Sequence, residues 1–171
     1  MIEYAKGQSG FGNLLHEIKN TNHLDNDTRK SWKKLHDQTL NYLLNYAKKN
    51  PNIHLILKGK VGVHHKNQMD LKNFPKNCTF IEGGAGGFLL RDASIVIAFN
   101  STVIFEALAA GKIVFTPNFD KNYKQHSEYF FDLLGTTFFD KNLNSFEKNI
   151  SKVLNNKKYK KTIKKEAKVK L

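Results

Sequence analysis

Between Ile95 and Pro117 the chain reads Ile-Val-Ile-Ala-Phe-Asn-Ser-Thr-Val-Ile-Phe-Glu-Ala-Leu-Ala-Ala-Gly-Lys-Ile-Val-Phe-Thr-Pro, an order that few folds accommodate. Ile95 to Phe99 is apolar without alternation, as a parallel strand covered on both faces must be. A short helix follows, Gly111 stops it, and Ile113 to Thr116 repeats the strand pattern. Asn100, Ser101 and Thr102 therefore fall at the carboxyl end of a strand and the start of a helix. Open α/β sheets bind ligands at that edge, and free N–H groups with a favourable dipole suit a phosphate there.

Glu106 is the residue of this unit hardest to explain by structure alone. A capping box needs Glu three residues after the capping Ser or Thr, but those positions after Ser101 and Thr102 are Ile104 and Phe105. Glu106 shares a helix face with Thr102, Ala109 and Ala110, so its carboxylate sits one turn from the proposed phosphate site beside small side chains. A ribose diol is a natural partner for it. The plainer reading is a helix Glu that faces water.

The rest of the chain supplies the flanking elements. Residues 1–26 hold Gly7, Gly10, Gly12 and many polar residues, and read as a poorly specified segment with a short helix near Leu14 to Lys19 and no domain-opening strand. From Asp27 to Lys49, Trp32, Leu35, Thr39, Leu43 and Ala47 follow helical spacing, and Asn50-Pro51 ends the helix. Ile53 to Leu57 gives a strand, followed by a basic loop to Lys66 that offers Lys58 and His64 or His65 to a phosphate, or to solvent alone. Thr79 to Glu82 gives a third strand, then Gly83-Gly-Ala-Gly-Gly87 and a short helix from Phe88 to Ala93.

Gly84-x-Gly86 suggests a dinucleotide loop, but Leu89 stands where the third glycine belongs, so NAD binding is rejected. Gly84 and Gly86 still permit positive φ and a close approach of backbone to ligand, or serve only a tight strand-to-helix connection. After Pro117 a polar loop carries Asp120, Lys121 and His126, which could reach a sugar or base or simply lie on the surface. Helices are expected at Ser127 to Leu134 and Leu143 to Leu154, with Leu133, Leu134, Phe146, Ile150, Val153 and Leu154 as their apolar face.

Composition sets the limits. A chain of 171 residues with 40% hydrophobic content suits one domain with a substantial core. No stretch reaches the roughly 18 apolar residues of a membrane span, and no secretory signal opens the chain, so a cytoplasmic location is expected. The single cysteine, Cys78, reads as a buried structural thiol just before a strand. The 7 histidines show no ligand spacing, so no structural metal is expected. The formal charge of +13 owes much to Lys157, Lys158, Lys160, Lys161, Lys164, Lys165, Lys168 and Lys170. Such a tail either solvates a helix or meets anionic phosphates, as in peripheral contact with the inner face of a membrane. No RNA-binding signature accompanies it, which argues against nucleic acid.

Asn100 to Pro117 resembles the donor-binding segment of the GT-B glycosyltransferases of bacterial surface polysaccharides, including capsule and Kdo transferases and CDP-glycerol glycerophosphotransferases. The likeness is strong over roughly residues 93 to 119 and absent at either end. It implies that Ser101 and Thr102 face the donor phosphate and Glu106 the nucleotide sugar or ribose. Members often carry a Lys and a His-Pro pair after the earlier strand. Here Lys58 matches, while His64 and His65 come later without a Pro.

The expected fold is an α/β, Rossmann-like three-layer domain over residues 27–156, with parallel strands near 53–58, 79–82, 95–99 and 113–116 and a basic tail at 157–171. That is one half of a GT-B enzyme. The resemblance thus implies a donor nucleotide-sugar-binding domain of a glycosyltransferase. Its nucleotide sugar is a substrate rather than a cofactor, its acceptor is a polysaccharide or lipid-linked glycan, and an amino-terminal half is missing. The alternatives are a UDP-sugar 2-epimerase-like enzyme, which uses the same nucleotide half, and a non-enzymatic basic domain that binds RNA or anionic lipid.

Overall fold

A computed structural model describes residues 2–3, 26–59, 73–82, 86–98, 103–117, 119 and 137–169. In chain order its elements are β1 (Ile2–Glu3), α1 (Asn26–Lys49), β2 (Leu55–Lys58), β3 (Cys78–Ile81), α2 (Gly87–Leu90), β4 (Ile95–Ala98), α3 (Val103–Ala109), β5 (Ile113–Pro117), β6 (Thr137–Asp140), α4 (Leu143–Asn155) and α5 (Lys157–Val169). The six strands form one sheet in the order β3-β2-β1-β4-β5-β6, and every neighbouring pair is parallel. This is a mixed α/β fold. The helices expected at 14–19 and 127–134 lie outside the described residues.

Alternation along the strands divides the core in two, because successive side chains leave opposite faces of a sheet. Leu55, Leu57, Ile95, Ile97, Ile113 and Phe115 face one way and pack with Leu43 and Ala47 of α1 and Phe146, Ile150 and Val153 of α4. Val96, Ala98 and Val114 face the other way, against Leu90 of α2 and Val103, Ile104, Ala107 and Leu108 of α3. Helices therefore cover both faces, which is why β4 and β5 are buried along their whole length. The expected stripe on α1 is also buried at Leu35, Thr39, Leu43 and Ala47, and the Thr39 hydroxyl is satisfied by donating to the Leu35 carbonyl at 2.8 Å.

Gly111 ends α3 as expected, with φ of +64°. Its N–H donates to the Leu108 carbonyl at 2.8 Å and that of Lys112 to Ala107 at 2.9 Å, a Schellman pair that needs a left-handed residue at this position. Asn77 joins α1 to the sheet. Its amide lies 2.9, 3.2 and 2.6 Å from the carbonyls of Ala47, Asn50 and Ile53, so one side chain closes the end of the helix and the turn after it.

Four corrections follow. Residues 1–26 do contain a strand: Ile2–Glu3 sits between β2 and β4, at the centre of the sheet. A sixth strand, Thr137–Asp140, pairs with β5. Cys78 is the first residue of β3 and only half-buried, and burial pushes its thiol up to about 11. The basic tail belongs to the fold rather than lying beyond it, as a separate helix set apart from α4 by Asn156. The Asn156 N–H donates to the Lys152 carbonyl at 3.0 Å, and its side chain accepts from the Tyr159 N–H at 2.9 Å. Tyr159 and Ile163 then pack against the core, with the Lys152 amine 3.9 Å above the Tyr159 ring.

Candidate functional site

The strand order locates the site. From β1 the chain builds outward through β2 to β3, then crosses back to β4 on the other side of β1. Successive connections thus leave β1 in opposite directions, and open α/β sheets bind ligands beyond the carboxyl ends of the strands at such a reversal, here those of β1 and β4. The segments after those two strands, residues 4–25 and 99–102, lie outside the described residues, and with them Asn100, Ser101 and Thr102. His65, Gly84 and His126 lie outside as well. The structure places Lys58, Gly86 and Glu106.

Lys58 ends β2, in register with Glu3 of β1, and Glu3 in turn is level with Ala98 of β4. It is thus at the same carboxyl edge, one strand from the reversal. Its side chain is only 2% exposed, and the ammonium donates to the carbonyl of Gly59. Gly59 in turn donates its N–H to Ile81 at 2.8 Å. A buried lysine must keep its charge satisfied by such contacts, so Lys58 holds the turn at the strand end rather than projecting from it.

Gly86 precedes α2 with φ −71° and ψ −26°, an ordinary helical conformation. Positive φ is therefore not the reason for glycine at this position. The next residue is more informative. A Cβ built on Gly87 would lie 3.9 Å from Oε2 of Glu106, an ordinary van der Waals distance. The glycine segment and Glu106, argued separately from the sequence, meet across the α2–α3 boundary. Glu106 is exposed in the first turn of α3, and its carboxylate makes no hydrogen bond or ion pair with another described residue. The residues next to these two in sequence, Phe88 and Phe105, are exposed, at 58% and 45%. The Lys112 amine, just after α3, donates to the carbonyl of Arg91, just after α2, at 2.9 Å.

Such an arrangement offers a carboxylate without a side-chain partner among the described residues beside open glycine backbone. It can accept hydrogen bonds from a polyhydroxylated ligand. No protein-family model and no curated protein matches the chain.

Sequence reasoning missed a further ionisable group on this sheet edge. Asp140 ends β6, level with Pro117 of β5, and is 3% exposed. Its Oδ1 accepts from the Asn149 amide at 2.7 Å, while Oδ2 is buried with no hydrogen-bond partner among the described residues. Burial raises its pKa above the usual carboxyl value, against the lowering effect of hydrogen bonds from Asn149 and Ser145. The run Thr137-Phe-Phe-Asp140 ahead of the capping Asn142 was the available signal.

A raised folded pKa means that the folded state holds its proton more tightly than the unfolded one. The ionised group therefore costs stability, and the cost grows as pH rises from about 4 through the folded value. Asp140→Asn keeps the shape and removes the charge. It is expected to stabilise the protein by about 1 kcal/mol at neutral pH, with the gain fading on acidification, as measured by urea unfolding across the acid-to-neutral range.

Proposed function

We propose that this chain is the donor-nucleotide-binding half of a GT-B glycosyltransferase of surface-polysaccharide biosynthesis. The observation that carries the reading is the parallel strand order β3-β2-β1-β4-β5-β6, the order of Rossmann-like nucleotide-binding sheets, with Glu106 and the Gly86–Gly87 turn together near the reversal. Folds of this kind host many activities, so the choice among them rests on the site. Here it rests on the segment Asn100 to Pro117 and its likeness to a donor-binding segment.

In this reading Glu106 accepts hydrogen bonds from the ribose diol. Ser101 and Thr102 face the donor phosphates, and Lys58 keeps the neighbouring turn in shape. Transfer to an acceptor hydroxyl requires stabilisation of charge on the departing nucleotide phosphate, which donors at the strand ends provide. The acceptor side, and any general base, belong to the other half of the enzyme. No helix among the described residues is long and apolar enough to cross a membrane.

Titration calorimetry with cytidine and uridine mono- and diphosphates tests the reading. Weak binding without turnover of a nucleotide sugar is the expected result for this chain alone. A folded sample that binds none of them would refute the donor site, and turnover by the chain alone would refute the half-enzyme. With the second half supplied, nucleotide release that waits for acceptor separates a transferase from an epimerase.

A further inference from the structure

The fold gives the carboxyl-terminal lysines a definite place. α5 reads Lys-Lys-Tyr-Lys-Lys-Thr-Ile-Lys-Lys-Glu-Ala-Lys-Val, seven lysines against one acid. Tyr159 and Ile163, one turn apart, pack against the core. Lys157, Lys161, Lys164 and Lys165 recur at the spacing of a single helix stripe on the side away from those two, and all but the half-buried Lys164 are exposed. None of the four forms an ion pair with a described residue. Lys160 lies nearer the core, where burial, and after it the charge of Lys164, lowers its pKa. Positive charge is therefore crowded on this helix rather than neutralised within the protein.

α4 continues the surface. Its Lys152 amine stands 3.9 Å above the Tyr159 ring, so the two helices meet there, and Lys148, one turn earlier, is exposed as well. Together with α1 they cover one face of the sheet. The acids among the described side chains of these three helices are Asp37 and Glu147 alone.

We propose that the lysine face of α5, extended by Lys148 and Lys152 of α4, is a docking surface for an anionic lipid bilayer. It stands apart from the nucleotide reading, since Glu106 belongs to α3, on the other face of the sheet. Charge complementarity calls for a polyanion, and the make-up of the surface favours a bilayer over a nucleic acid. No arginine occurs in α4 or α5 to grip a phosphate or a base edge with a bidentate fork. The large hydrophobics exposed among the described residues, Phe88 and Phe105, belong to α2 and α3, so no such ring stands on the lysine face for a base to stack on. Lysine point charges spread along one helix and onto its neighbour suit the diffuse negative potential of an anionic leaflet, which attracts each cation separately. Tyr159 and Ile163 are already packed on the core, so α5 keeps no apolar stripe to insert, and the contact is electrostatic, at the level of the headgroups.

The test is co-sedimentation of the full chain with vesicles of phosphatidylcholine alone and of phosphatidylcholine mixed with phosphatidylglycerol. Binding is expected to the mixed vesicles only, and to be lost at about 1 M salt, where the screening length falls to about 3 Å. Lys157→Gln, Lys161→Gln, Lys164→Gln and Lys165→Gln combined should weaken it by about 100-fold or more without lowering Tm. The same four positions changed to Arg keep their charge and should bind within about threefold of the parent. Undiminished binding by the fourfold Gln variant, equal binding to both kinds of vesicle, or no binding by the folded parent would overturn the proposal. So would tighter binding of the parent to a duplex RNA at the same phosphate concentration, because the partner would then be a nucleic acid.

Discussion

Phe146→Ala is expected to destabilise the protein by about 3–5 kcal/mol, enough to leave much of it unfolded at moderate temperature. Phe146 is fully buried and joins three parts of one layer. Its ring meets Phe115 of β5 edge-on at 5.9 Å and 87°, Tyr42 of α1 at 5.6 Å and 71°, and Phe119 after β5 at 5.7 Å. Phe115 is in turn stacked on Phe138 of β6 at 4.6 Å and 12°. Truncation at Phe146 therefore opens a cavity beneath α4 that the surrounding strands, fixed by their ladders, fill poorly. Phe88→Ala removes the same ring from a position 58% exposed and should cost less than about 0.5 kcal/mol. Urea unfolding of both variants measures the contrast. Similar losses would mean that the α4 layer is not the core of this fold.

The second large effect concerns ligand binding. Glu106→Ala removes the proposed ribose acceptor and Glu106→Gln removes only its charge. Each is expected to weaken nucleoside and nucleotide alike, by up to about 1.5–3 kcal/mol, or roughly 10- to 150-fold in Kd. Because the Glu106 side chain is exposed and bonded to no other described residue, neither change should alter Tm. Ser101→Ala and Thr102→Val should instead weaken nucleotides according to their phosphate content and leave the bare nucleoside nearly unaffected. Equal binding by Glu106→Ala and the parent would make Glu106 a plain surface residue.

What was legible in the sequence follows from how each element is buried. β4 and β5 are covered on both faces, so unbroken apolar runs announce them, and Gly111 punctuates the unit because a left-handed turn is needed there. β1 was not legible. Two residues carry no periodicity, and their central place comes from the register with Leu57 and Ile97, which no local pattern encodes. β6 has two aromatic positions in a four-residue strand at the sheet edge, a signal too short to stand out from the helices expected around it. In α5 the abundant lysines hid the spacing of Tyr159 and Ile163, two residues on one helix face that bury against the core. At the site, Glu106 was legible as a residue that capping could not explain. Its meeting with Gly87 was not, since it depends on how α2 and α3 pack. The satisfied, buried state of Lys58 was also hidden, because a lysine at a strand end looks the same in sequence whether it projects or folds back.

The proposed donor site is tested most directly by amide chemical-shift mapping of the labelled chain titrated with a cytidine or uridine diphosphate. The expected shifts concentrate at the carboxyl edge of the sheet, at Gly59, Gly86, Gly87 and Glu106, and are lost in Glu106→Ala. Shifts confined to Ile53, His54 and Ser94 at the opposite edge, or none in a folded sample, would contradict the account.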